Sequence, residues 1–229
     1  YNLTLVMPES MSVERRALMT AYGANIVLTR KELGLGGTIA KADEMVANNK
    51  NSWMPSQFKN QANPEIHRKT TALEILKDTD NTLDFFVAGV GTGGTISGIS
   101  RKIKEVCPDA LIVGADPEGS LLANDSDPVG TYQVEGIGYD FVPKVLDRSR
   151  VDKWVKTNDQ LSFKLARQLI KEEGILAGGS SGSALSAMLE WAPTLKPGQR
   201  CVVLLPDGIR NYMAKFINDD WMKSNGFEL

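Results

Sequence analysis

Short runs of apolar and β-branched residues alternate along this chain with longer stretches in which apolar positions recur three and four apart. That alternation is the pattern of βαβ units and predicts an α/β fold, a mainly parallel sheet covered by helices and joined by right-handed crossovers. Strands are expected at 3–7, 25–29, 84–88, 111–116, 151–156 and 201–205. Helices are expected from just after Ser12 to Tyr22, where Gly23 supplies the stop, then at 37–47, from near Pro64, and at 93–106, 159–173, 181–191 and 210–217. A turn-rich segment, 57–64, interrupts the spacing, and a lobe boundary is expected at 47–51, giving lobes 1–48 and 49–229. The loop 118–140, rich in Gly, Asp and Ser, is longer than an ordinary connection, a property of functional or mobile loops.

Charge and composition narrow the partners. Twenty-six basic side chains face 28 acidic ones, and no long run of one sign marks a nucleic-acid surface, so small and weakly charged ligands are expected. The longest apolar run, Val202 to Leu205, falls far short of the roughly 20 residues a membrane helix needs, and no signal-peptide pattern opens the chain. The reading is a protein of the cell interior. Cys107 and Cys201 stand far apart and outside any Cys-x-x-Cys pattern, which indicates neither a disulfide framework nor a metal site. His67, the single histidine, has no companion ligands and is expected at the surface or in a helix cap. The chain opens at Tyr1 rather than Met and runs at once into a strand, so a missing N-terminal part is expected.

Three clusters carry candidate chemistry. In Val87-Ala88-Gly89-Val90-Gly91-Thr92-Gly93-Gly94-Thr95 a predicted strand runs through glycines into a predicted helix, the context of an anion site. Glycines admit a phosphate to the backbone, amides at the helix start donate to it, and Thr92 and Thr95 add hydroxyls. No lysine follows, and the spacing is not Gly-x-Gly-x-x-Gly, so neither a nucleoside triphosphate nor a dinucleotide is supported. A second cluster, Gly174 to Ser183, offers several hydroxyls before a helix, more than capping requires, and suggests a flat ligand. The third, Tyr132 to Phe141, is a loop punctuated by Gly136 and Gly138 that reads equally well as a surface turn.

Together these segments resemble the cysteine synthase/cystathionine β-synthase family of pyridoxal-phosphate enzymes, over essentially the whole chain. The resemblance implies a two-lobed, three-layer αβα architecture with mainly parallel sheets, the fold type II arrangement similar to the tryptophan synthase β chain. Residues 1–48 would then be the C-terminal part of the small mobile lobe. It implies pyridoxal 5′-phosphate as cofactor, with Gly91, Thr92, Gly93, Gly94 and Thr95 as the phosphate loop and Ser180 bonded to the pyridine nitrogen. It also implies Gln57 beside the substrate carboxylate, with Gly136 and Tyr139 at the substrate end of the cleft. Glu135 would orient that loop, meet a substrate amine, or stand solvated.

Within the family, Glu135-Gly136-Ile137-Gly138-Tyr139-Asp140-Phe141 looks like the cystathionine-forming branch, while 31–47 looks like the cysteine-forming one. The implied reaction condenses serine with homocysteine. The alternatives are a cysteine synthase using O-acetylserine and sulfide, or an inactive interaction module. The Schiff-base lysine of a Ser-x-Lys-Asp-Arg motif and the Ser-Gly-Asn-Thr-Gly loop of the family are not found here, so no residue is named as the base. In the family's order both precede Tyr1, as would a haem-bearing extension, which leaves haem undecided. Amino acids and thiols as ligands, a homodimer and a cytoplasmic location complete what the resemblance implies.

Overall fold

The computed structural model describes residues 1–229, which divide into two compact units. The first comprises Tyr1–Pro55 with Arg210–Met213. Here β1 (Thr4–Pro8) and β2 (Asn25–Thr29) pair in parallel from Thr4↔Asn25 to Pro8↔Thr29, flanked by α1 (Val13–Ala21) and α2 (Gly34–Ala47). Ser12 caps α1 by accepting the Arg15 amide at 3.4 Å, and Gly23 leaves the helix at φ +87°, the left-handed conformation a glycine stop supplies.

The second unit comprises Ser56–Ile209 with Ala214–Leu229. Its sheet has four parallel strands, β3 (Phe85–Gly89), β4 (Leu111–Pro117), β5 (Lys153–Thr157) and β6 (Cys201–Val203), in the order β5-β4-β3-β6. The helices are α3 (Ala62–Lys69), α4 (Thr71–Asp78), α5 (Gly94–Val106), α6 (Asp159–Glu173), α7 (Gly179–Trp191) and α8 (Asp219–Ser224). Side chains alternate across the pleat. Phe86, Ala88 and Ile112 pack with Ala72, Leu76, Ile96, Ile99 and Ile103 of α4 and α5, whereas Val87, Val113, Ala115 and Val155 pack with Ala187 of α7. Helix, sheet and helix therefore form the helix-covered parallel sheet that the alternating pattern predicted and the three layers that the resemblance implied. Each fully buried side chain such as Phe86 or Ile99 contributes about 1.5–3 kcal/mol.

Three expectations change. The helix expected at 210–217 is a short 3₁₀ turn, Ile209–Tyr212, followed by irregular turns. The helix instead begins one residue after Asn218, whose side chain accepts from the Asp220 and Trp221 amides at 2.8 and 3.0 Å, a cap that 210 lacks. The helix expected near Pro64 is two, α3 and α4, broken at Thr70 where φ and ψ are −124° and −77°. And α2 starts at Gly34, three residues early, because glycines only weaken a helix. No regular strand or α-helix lies between Pro117 and Arg148.

Candidate functional site

The first cluster folds as its sequence predicts, β3 running through 90–93 into α5. The Val90 amide donates to Ala115 O at 2.9 Å, and Val90 O accepts from the Gly138 amide at 2.8 Å, so the turn is tied both to β4 and to the third cluster. Gly93 occupies the N-cap of α5 at φ +81° with no side-chain cap of its own; the Gly94 amide donates to Thr92 Oγ1 at 3.2 Å, and the Thr95 and Ile96 amides are the ones left for a ligand.

Each glycine answers to a different neighbour. A Cβ on Gly91 would stand 2.5 Å from Gly136 O and 3.4 Å from the Tyr139 hydroxyl, one on Gly93 would stand 2.5 Å from Leu146, and one on Gly94 would overlap the Asn63 amide. The glycines thus let α3 and the loops at 136–146 close around the turn, a role the sequence assigned only to the approach of an anion.

Gly136, at φ +92°, has open space where a Cβ would be. Tyr139 is pinned by its backbone: Ser120 Oγ lies 3.0 Å from the Tyr139 amide, which donates to it, and 3.2 Å from the Tyr139 carbonyl. The Tyr139 ring stacks on Phe141 at 5.3 Å and meets the edge of Phe58 at 5.5 Å. Burial pushes its hydroxyl up to about 12, so it stays a neutral donor through the physiological range. Because the folded value exceeds the ordinary one of 10.0, this burial stabilises the fold fully below pH 10.0 and the contribution fades as pH climbs toward about 12. In a phenolate absorbance titration, Tyr139→Phe should delete one late-ionising step; loss of an early step instead would contradict the buried environment.

Ser180 is buried in the first turn of α7, and its backbone oxygen would stand 3.7 Å from a Cβ on Gly89, beside the cradle. Gln57 has an exposed side chain, and its carbonyl accepts from Asn63 Nδ2 at 2.8 Å. The loop, Ser180, Gly136, Tyr139 and Gln57 therefore border one region. Glu135, open on sequence, pairs with Lys215 and is only 12% exposed in its side chain, which fits a loop-orienting role rather than a solvated one.

Four residues to which the sequence assigned no role of their own support this region: Asn63, Phe58, Ser120 and Lys156. His67 departs from the expected surface or cap role. Its ring is half-buried, with Nδ1 2.9 Å from the Thr71 hydroxyl and Nε2 3.3 Å from that of Thr95, and burial lowers its pKa. The four-residue spacing of Asn63 and His67 is the signal that would have placed both on one helical face.

A phosphate monoester fits the cradle. Open amides at the α5 start, two threonine hydroxyls and a segment 89–100 without a single acidic side chain make an anion site built from dipoles rather than from cations.

Known proteins resemble this chain over nearly its whole length. Mouse cystathionine beta-synthase is 49% identical over 234 residues, covering 99% of this chain and 42% of that protein. The Dictyostelium discoideum protein of the same name is 48% identical over 99% of this chain and 47% of its own length, so this chain spans less than half of these curated relatives. The crystal structure of a hydrogen sulfide-producing enzyme from Fusobacterium nucleatum superposes with a TM-score of 0.88 at 38% identity, covering 93% of this chain and 72% of that one. Residues 1–207 match the family described as pyridoxal-phosphate dependent enzyme, and with a cradle that suits the cofactor's phosphate, the chain belongs to that family.

Proposed function

We propose that this chain forms part of an enzyme of β-replacement, condensing L-serine with L-homocysteine to L-cystathionine and water. The Cα proton is taken up and the serine hydroxyl leaves as water; the homocysteine sulfur then bonds to Cβ as its thiol gives up a proton, and a proton returns to Cα, so that one water is the only other product. The observation that carries the reading is the Gly136–Tyr139 turn lying against Gly91 of the cradle, with the loop sequence of the cystathionine-forming branch.

When bound, pyridoxal phosphate supplies an electron sink at Cα. The α5 amides, Thr92 and Thr95 hold its phosphate. The Ser180 hydroxyl meets the pyridine nitrogen as a neutral partner, which suits elimination and replacement better than a carboxylate that would keep the nitrogen protonated. Gln57 and Gly136 border the substrate carboxylate. Tyr139 offers a neutral hydroxyl at the substrate end, and the rings of Phe58 and Phe141 hold it and limit water there. The proton-moving base is assigned to no side chain of this chain. A cytoplasmic homodimer belongs to the same reading, by analogy with the family.

The Fusobacterium nucleatum neighbour, described as producing hydrogen sulfide, shows that sulfide is handled on this fold, and the second reading has sulfide as the sulfur nucleophile, with O-acetylserine as the donor that the sequence resemblance implies. The full-length protein supplied with serine and homocysteine, then with O-acetylserine and sulfide, separates them. Cystathionine as main product supports the first, and cysteine from O-acetylserine alone supports the second. No product and no cofactor would leave an inactive interaction module. Ser180→Ala should lower turnover roughly tenfold with the fold retained, the size of one net hydrogen bond; unchanged turnover would remove Ser180 from the mechanism.

A further inference from the structure

α3 lies in a groove at the start of α5. A Cβ on Gly94 would overlap the Asn63 side chain and one on Gly98 would overlap Pro64 O, so two glycines four apart admit the helix at backbone distance. Asn63 and His67, also four apart, face the two loop threonines from it.

Asn63 Nδ2 lies 2.8 Å from Gln57 O and 3.2 Å from Thr92 Oγ1. A carbonyl only accepts, so the nitrogen end of the amide must face Gln57, and its second hydrogen goes to Thr92. Thr92 Oγ1 also accepts the Gly94 amide at 3.2 Å. A hydroxyl oxygen has two acceptor lone pairs and one proton. With both lone pairs engaged by protein donors, the Thr92 proton is left for a third group.

We propose that Asn63 is a positioning residue that obliges Thr92 to donate its hydroxyl proton to the phosphate in the cradle, and that His67 acts on Thr95 in the same sense. The inference rests on the reading of this loop as the cofactor's phosphate site. Burial favours the neutral imidazole of His67, which carries a single N–H. With that hydrogen on Nε2 and the Thr71 hydroxyl donating to Nδ1, Thr95 Oγ1 is an acceptor toward His67 and its proton too is free for the ligand. The α3 side of the loop is thereby supplied with two directed donors and no added charge.

The test is a double-mutant cycle in the full-length protein, read by pyridoxal-phosphate affinity in fluorescence titration of the apoprotein and by the ³¹P shift of the bound phosphate. Asn63→Ala and Thr92→Val should each weaken binding roughly tenfold and move the ³¹P resonance, and the double variant should be no worse than Thr92→Val alone. Asn63→Asp, the same shape but an acceptor, should weaken binding more than Asn63→Ala, since the carboxylate would draw the Thr92 proton inward. Penalties that simply add, or an Asn63→Asp variant that binds as wild type does, would overturn the relay. Where the Asn63 variants do not fold, the His67 pair decides: His67→Gln keeps a donor and should hold the ³¹P shift, His67→Leu should lose it, and equal behaviour of the two overturns the proposal. A wild type that takes up no cofactor overturns the phosphate reading itself, and the relay with it.

Discussion

Gly182→Val is expected to destabilise the second unit by about 3 kcal/mol or more, lowering its thermal midpoint by roughly 10 °C. A Cβ at Gly182 would fall inside the Ser162 carbonyl oxygen and within 3 Å of Ala166 N, and both are backbone atoms of α6 that no rotamer change can move aside. The two helices are locked at that depth by other bonds: Ser183 Oγ donates to Ser162 Oγ at 2.8 Å, and Ser162 Oγ donates to Asn158 O at 2.7 Å. Valine must therefore push α7 from α6, breaking that buried hydroxyl pair and shifting Ser180 in the same helix. Gly174→Ala is the control. Its φ of +69° carries strain of about 1–2 kcal/mol in any L residue, but a Cβ there meets nothing. Equal midpoints for the two variants would show that close packing at Gly182 does not matter.

That close approach shows what the sequence makes legible and what it hides. The strands were legible because Phe85-Phe86-Val87-Ala88 and Leu111-Ile112-Val113 are short apolar runs buried on both faces of a parallel sheet, and the helices α5 and α6 because their apolar residues keep a helical period. The α8 helix was hidden because its six residues carry too little periodicity, and only Asn218 marks its start. Gly182 was read as part of a hydroxyl-rich ligand cluster, yet its absent side chain serves helix packing. A glycine gives no clue in sequence to which of its neighbours needs the room.

The cradle itself was legible in its residue types, because a strand, a glycine-rich turn and a helix start are contiguous in sequence. Its supports were not. Asn63 lies 29 residues before Thr92, and Ser120 lies 19 residues before Tyr139, separations at which no local rule predicts contact. Gly93 shows the same limit: its left-handed φ and the nearness of Leu146 explain the glycine without any ligand, so a β-branched residue there would displace the loop at Leu146 as well as crowd a bound phosphate.

Lys156→Met is expected to cost about 3 kcal/mol and to loosen the loop that carries Tyr139. Asp116 is fully buried at the end of β4. Its Oδ2 accepts from Lys156 Nζ at 2.9 Å and from the Ala123 amide at 3.0 Å, while its Oδ1 is buried without a partner. Lys156 also donates to Ser120 O at 2.5 Å and lies 3.2 Å from Asp127 Oδ2, so one ammonium ties β5 to two points in the first half of the long loop. Removing it leaves a carboxylate uncompensated away from water, a change of about 3–5 kcal/mol; the partial exposure of Lys156, 32%, favours the lower end. Asp116→Asn combined with Lys156→Met should recover a good part of the loss, because a neutral amide costs far less to bury than an unpaired charge. Ser120, freed at its carbonyl, would hold the Tyr139 backbone less firmly, so the single variant should also be cut faster by protease between Asn124 and Gly130. Denaturant unfolding and limited proteolysis check both effects. A single variant as stable as wild type would mean that the Ala123 amide alone satisfies the carboxylate, and a double variant worse than the single would mean that Asp116 matters as an acceptor for the loop amide and not for its ion pair with Lys156.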